Sequence, residues 1–150
     1  METTQKQSKT SRYGVNDFTR NERMFTEEVE PRMRELLALN VPFDWDNFDS
    51  KAFDERWEKQ RKLMEEVEEH AYNARSMTGR ILRFPMADSY ACYLVVKVNK
   101  TTCRLVCLDV GDGWEDARLG PEGSLPLDFV HQEICYRDQL NAIFSKKKAS

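Results

Sequence analysis

The sequence predicts an α+β protein: an N-terminal helical hairpin, then a small antiparallel β unit, then a short C-terminal helix. Three observations predict it. Between Phe18 and Met77 there is no glycine and only two of the five prolines, whereas five of the six glycines lie from Gly79 onward. Such punctuation marks a change of architecture near Met77–Gly79. The hydrophobic period changes at the same place, from helical spacing to alternation. Charge changes as well: residues 17–76 hold 16 acids and 10 bases, net −6, while residues 77–150 hold 9 acids and 10 bases, net +1.

Residues 1–16 hold 1 acid and 3 bases and have no hydrophobic period. They read as a flexible tail. Residues 18–39 read as helix, with Met24, Phe25, Val29, Met33, Leu36 and Leu37 at helical spacing. Pro31 lacks an N–H and clashes with the preceding turn, so a kink or restart is expected near Glu30. The segment NVPFDWDNFDS turns the chain, with Phe43, Trp45 and Phe48 expected to plug the hairpin end. A second helix is expected from about Lys51 to Ser76, about 39 Å long at 1.5 Å per residue, capped by Ser50 or Asp49. Phe53, Trp57, Met64, Val67, Ala71 and Ala74 form its stripe, with Gln60 or Arg61 as a polar gap. Glu55–Lys59 and Glu58–Lys62 stand at i, i+4 and are expected to pair. Together these elements make a unit over residues 17–77.

GRILRF is expected as a first strand, followed by YACYLVVKV and TTCRLVCLDV as a hairpin about Asn99-Lys100. A two-residue turn there pairs Val96 with Cys103, Leu94 with Leu105 and Cys92 with Cys107 on one apolar face. Tyr93, Val95, Lys97, Arg104 and Val106 fall on a mixed opposite face.

Residues 111–130 read GDGWEDARLGPEGSLPLDFV. This segment resembles the end of an SH3 domain, with Trp114, Ala117, Gly120, Gly123, Leu125, Pro126, Asp128, Phe129 and Val130 at matching positions. Glu115 stands where the family has a second Trp, Phe129 where it has Tyr, and the family's opening Ala-Leu-Tyr-Asp-Tyr is absent. The resemblance covers about twenty residues. It implies a small SH3-like β-barrel over residues 78–135, with one 3₁₀ turn at Leu127–Phe129 and a final strand after it. It also implies a partner-binding rim built from Trp114, Pro126 and Phe129, the positions that line the peptide groove of SH3 domains. Asp109, Asp112, Glu115 and Asp116 would add acidic groups beside it. Residues 136–150, with Tyr136, Leu140, Ile143 and Phe144 at helical spacing and lysine at 146–148, read as the C-terminal helix and basic tail.

No apolar run approaches the ~20 residues that span a bilayer, and the N-terminus has no signal-peptide core. The expectation is a cytoplasmic protein with no membrane association. Cys92, Cys103, Cys107 and Cys135 make no CxxC and no zinc spacing. They are read as reduced structural thiols, with Cys92 and Cys107 close across the hairpin. His131 and Cys135 lack a third partner, and the acids around Gly111 and Gly113 do not match a calcium loop. No phosphate-binding loop or nucleophile elbow occurs. The chain therefore reads as non-catalytic, with no metal and no cofactor.

The function expected is a protein–protein interaction module, an adaptor or an inhibitor, using the rim (Trp114, Pro126, Phe129, Asp112, Glu115, Asp116), the acidic helix face, or both. Homodimerisation through the helical hairpin is a further expectation. One alternative is a nucleic-acid-associated module using Lys97, Arg104, Arg80 and Arg83, although net charge −3 and pI ≈ 5.5 weigh against nucleic acid. An enzyme of unidentified chemistry is the second alternative.

Overall fold

A computed structural model describes residues 18–40, 45–85, 90–108 and 122–149. Its elements are α1 (Glu22–Met24), a π-helical turn (Phe25–Val29), α2 (Glu30–Leu39), a 3₁₀ turn (Trp45–Asn47), α3 (Ser50–Asn73), β1 (Ile81–Pro85), β2 (Tyr90–Val98), β3 (Thr102–Cys107), β4 (Glu122–Pro126) and α4 (Leu127–Ala149). The class is α+β, as the sequence predicts.

The first helical stretch is disturbed beside Pro31 but not interrupted. Met24, Val29 and Glu30 all keep right-handed helical backbone and Glu30 N–H donates to Phe25 O, so the chain runs on through a π turn, Phe25–Val29, that ends two residues before Pro31. Asn21 opens α1 by accepting from Met24 N, and its own N–H donates to Ala74 O at 2.8 Å, tying the start of α1 to the end of α3. Asp49 caps α3, accepting from Lys51 N at 3.0 Å and Ala52 N at 3.3 Å. The helix ends in a Schellman arrangement: Ser76 N donates to Ala71 O and Arg75 N to Tyr72 O. Arg75 takes the left-handed conformation there, at φ 56°. Glu28 meets His70, and Arg32 meets Glu66, so α2 and α3 run antiparallel. Glu58 pairs with Arg61 rather than with Lys62, and Glu65 pairs with Arg61 as well.

The hairpin lies on its own sheet. Val29, Met33, Leu36, Leu63, Met64, Val67 and Ala71 pack with Ile81, Leu94 and Leu108 in one core. Trp57 and Phe48 are exposed instead of buried in the stripe and plug, with Phe48 against Phe53. Phe43 lies outside the described residues. Gln60, the expected polar gap, is fully buried because its amide nitrogen donates to Leu108 O. Asn40 makes the matching contact one residue earlier, to Cys107 O at 2.8 Å. The apolar stripe that hairpin dimerisation would need therefore faces the sheet.

The sheet is an antiparallel meander in the order β1-β2-β3-β4 and is open, not closed into a barrel. Its second face carries the other core: Leu82, Phe84, Ala91, Tyr93, Val95, Cys103, Leu105 and Cys107 against Val130 and Ile134 of α4. The layers are thus hairpin, sheet and C-terminal helix.

Gly79 sets the junction. It has φ +98°, and a Cβ there would stand 2.9 Å from both Ala71 Cβ and Val29 Cγ1. Only glycine lets the chain pass this close to two helices. Its N–H donates to Val95 O at 2.9 Å, which aligns the entry to β1 with β2.

Two expectations are corrected. The β2–β3 register is Tyr93 with Cys107 and Val95 with Leu105, and after an irregularity between Val95 and Lys97 it becomes Val98 with Cys103. Asn99 N donates to Thr102 O, so Lys100-Thr101, not Asn99-Lys100, forms the turn. One residue of slip exchanges faces: Cys92 and Val96 pack toward the hairpin, while Cys103 and Cys107 pack toward α4. Cys92 and Cys107 therefore lie on opposite faces, and none of the four cysteines is in a disulfide.

The second correction concerns the region after β4. Residues 127–135, expected as a 3₁₀ turn and final strand, begin the helix that runs to Ala149. Leu127, Val130 and Ile134 share one face of it, and burying that face against the sheet favours helix over an edge strand. The barrel boundary at 135 has no counterpart, since one helix crosses it.

Candidate functional site

Of the six rim residues expected from the sequence, Trp114, Asp112, Glu115 and Asp116 lie outside the described residues. Pro126 ends β4, paired with Thr102. Phe129 stands in the first turn of α4, 39% exposed, stacked on Phe84 with centroids 6.4 Å apart. With Gln132, Glu133 and Tyr136 it lines a shallow depression of about 320 Å³.

The more developed concavity lies at the other end of the sheet and was not anticipated. Backbone pairing along this edge of β2 runs as far as Val95, which donates to Arg80 O and accepts from Gly79 N, so Val96–Val98 extends past it. The end of this strand, the π turn, α2 and residues 76–78 enclose a cleft of about 610 Å³. Phe18, Phe25, Met33, Leu37, Met77, Val96 and Val98 provide its apolar lining. Arg20, Arg34 and Lys97 stand among the lining residues with one acid, Glu30. Arg20 lies over the Phe25 ring at 4.2 Å and is held by Glu22, and Arg34 pairs with Glu30 at 3.3 Å. Lys97 has no ion pair among the described residues. A sequence signal existed, because Val96-Lys97-Val98 continues β2 beyond the length of GRILRF. Which side of that strand lay uncovered depended on long-range packing.

The cations proposed as a nucleic-acid face are largely committed. Arg80 is 4% exposed, donates two bonds to Asp138 and lies 3.6 Å from Glu68. Arg83 meets Glu68 at 3.7 Å, and Arg104 is bound by Glu122. The acidic helix face is likewise laced with arginine, through Arg23–Glu27, Arg32–Glu28 and Arg61–Glu65.

His131 and Cys135 share a face of α4 with Nδ1 and Sγ 3.9 Å apart. Burial lowers the His131 pKa, and Asp128 opposes that shift. The ring also meets Phe18 edge-on at 5.2 Å. Cys135 is fully buried, so no substrate reaches its thiol. Burial pushes Cys103 up to about 11, away from the thiolate that nucleophilic chemistry needs. Among the described residues no group of three His, Cys, Asp or Glu could hold a metal ion, and no helix is long and apolar enough to cross a membrane.

The chain matches no protein-family model, no curated protein and no solved structure.

Proposed function

We propose that this protein is a non-catalytic protein-interaction module, an adaptor or inhibitor, that binds an extended segment of another protein in the cleft beside Val96–Val98. The observation that carries the reading is the cleft itself. Its volume falls in the range of about 300–1,000 Å³ usual for binding pockets. It combines aromatic side chains and methionines, which adapt to a partner, with one cation, Lys97, that has no ion pair among the described residues. A segment with apolar residues and one or more carboxylates matches both features. The compensated state of Arg80, Arg83 and Arg104 favours this reading over a nucleic-acid one, because few of the expected cations are left to meet phosphates.

Affinity capture from the native host tests it, comparing wild type with Lys97→Glu/Val98→Glu. Val98 is 37% exposed, so these changes leave the core intact. Loss of one specific partner, with an unchanged circular dichroism spectrum, is expected. An unchanged partner list would contradict the cleft, and capture of nucleic acid that weakens steeply with salt would contradict the module.

A further inference from the structure

We propose that the segment bound in the cleft adds as a short β-strand to the open edge of β2, bonding to the backbone of Val98 and meeting Lys97 with a carboxylate. The inference deepens the proposed function and rests on it. Backbone pairing on this edge stops at Val95, which exchanges bonds with Gly79 and Arg80. Gly79, at φ +98°, brings the chain onto the edge from α3, where Ser76 N donates to Ala71 O. Past Val95 the edge is left open for about three residues at 3.3 Å each.

The polarity at Val98 follows from the register. Opposed residues of an antiparallel pair alternate between those that exchange hydrogen bonds and those that do not. Asn99 N donates to Thr102 O, so Lys97 exchanges bonds with Arg104, and Val98, opposite Cys103, does not. The N–H and C=O of Val98 therefore point away from β3, to the open edge. The irregularity between Val95 and Lys97 lets both Val95 and Val98 face that way. Among the described residues no side chain hydrogen-bonds to Val98, whereas at Ile81, on the outer edge of β1, Glu68 and Arg137 occupy the N–H and C=O. An uncovered edge is a template for another strand.

Charge identifies the occupant. Arg20 is held by Glu22 and Arg34 by Glu30, which leaves Lys97 without an ion pair among the described residues. Its complement is an acidic side chain on the incoming strand. Residues 1–16 of this chain carry 1 acid and 3 bases, the wrong sign to serve. A second copy joined edge to edge would bring two such lysines into one interface. An acidic, extended segment of a partner protein fits, with its apolar side chains against Met33 and Leu37.

Amide exchange of the full chain, read by NMR, and binding of a capped, fluorescein-labelled peptide of alternating valine and glutamate test the proposal. In the free protein the Val98 N–H is expected to exchange at close to the unprotected rate, and with the peptide about tenfold more slowly or beyond. Val98→Pro removes that N–H, which β3 does not use, so the circular dichroism spectrum is expected to hold while the peptide's Kd rises about tenfold. Val98→Ala keeps the N–H and is expected to change Kd by less than about threefold. A peptide with lysine in place of glutamate is expected not to bind. Protection of Val98 in the free protein, which would mean that this chain or a second copy already covers the edge, would overturn the proposal. So would failure of the valine–glutamate peptide to bind, or equal effects of Val98→Pro and Val98→Ala. Partner capture separates strand addition from the cleft reading. A partner lost with Lys97→Glu/Val98→Glu but kept with Val98→Pro overturns strand addition alone, and a partner kept with both overturns the cleft as well.

Discussion

Glu68 accepts hydrogen bonds from both terminal nitrogens of Arg137, each at 2.8 Å. Glu68 belongs to α3, on one face of the sheet, and Arg137 to α4, which packs on the other. Their pairing clasps the two outer layers around the β1 edge. The same two side chains occupy the backbone of that edge: Ile81 N donates to Glu68 at 3.0 Å, and Ile81 O accepts from Arg137. An edge strand with free N–H and C=O groups is a template for unwanted pairing, and here a buried ion cluster covers one of its positions. Burial lowers the pKa of Arg137, while Glu68 opposes that shift and keeps the guanidinium charged.

Removing Glu68 leaves Arg80 and Arg137 under-compensated. Glu68→Ala is expected to cost about 3–5 kcal/mol, read from urea unfolding. Glu68→Leu/Arg137→Met is expected to cost less than the sum of the single changes, because both charges leave together. Simple additivity would show that the clasp is not a coupled unit.

Two backbone positions respond in opposite directions. Arg75 is a non-glycine residue in the left-handed conformation, so Arg75→Gly is expected to stabilise by about 1 kcal/mol, which raises Tm by about 2–4 °C for a chain of this size. Gly79→Ala combines unfavourable φ with two contacts at 2.9 Å, so a loss of about 3 kcal/mol or more is expected. Thermal melts of both variants check the signs.

Thiol reactivity reports the register. Cys92 is half-buried, whereas Cys103, Cys107 and Cys135 are buried. Iodoacetamide at mildly alkaline pH is expected to modify Cys92 first, with Cys103 silent until the chain unfolds, since its pKa is raised to about 11. A native Cys92–Cys107 disulfide, detected by mass spectrometry, would contradict the observed pairing.

His131 makes stability depend on pH. Its pKa is lowered in the folded protein, so the unfolded chain binds the proton more readily. The contribution of neutral His131 is fully present above the unfolded value, about 6.5, and is lost as pH falls through the lower folded value. Wild type is therefore expected to lose Tm below about pH 6.5 more steeply than His131→Gln. Parallel Tm profiles would show that the imidazole is not responsible.

The helical half was the more legible part of the sequence. Asp49 as a cap, the disturbed helix beside Pro31 and the change of architecture at Gly79 all follow from local chemistry. Gln60 was legible only as a gap, because its partner, Leu108 O, is 48 residues away. The β register slipped because the turn residues are chemically weak signals and the irregularity near Val96 leaves no mark in composition. The last helix departs from the barrel end that the SH3 resemblance implies, although Leu127, Val130 and Ile134 stand at helical spacing. The cleft was illegible for a different reason: it exists only because α2 and the end of β2, sixty residues apart, face each other.

Hydrogen exchange of the full chain, alone and with the partner it captures, tests the interaction account most directly. Slowed exchange at Val96–Val98 and along the π turn and α2 is the expected result. Protection that omits these segments, or none at all, would contradict it.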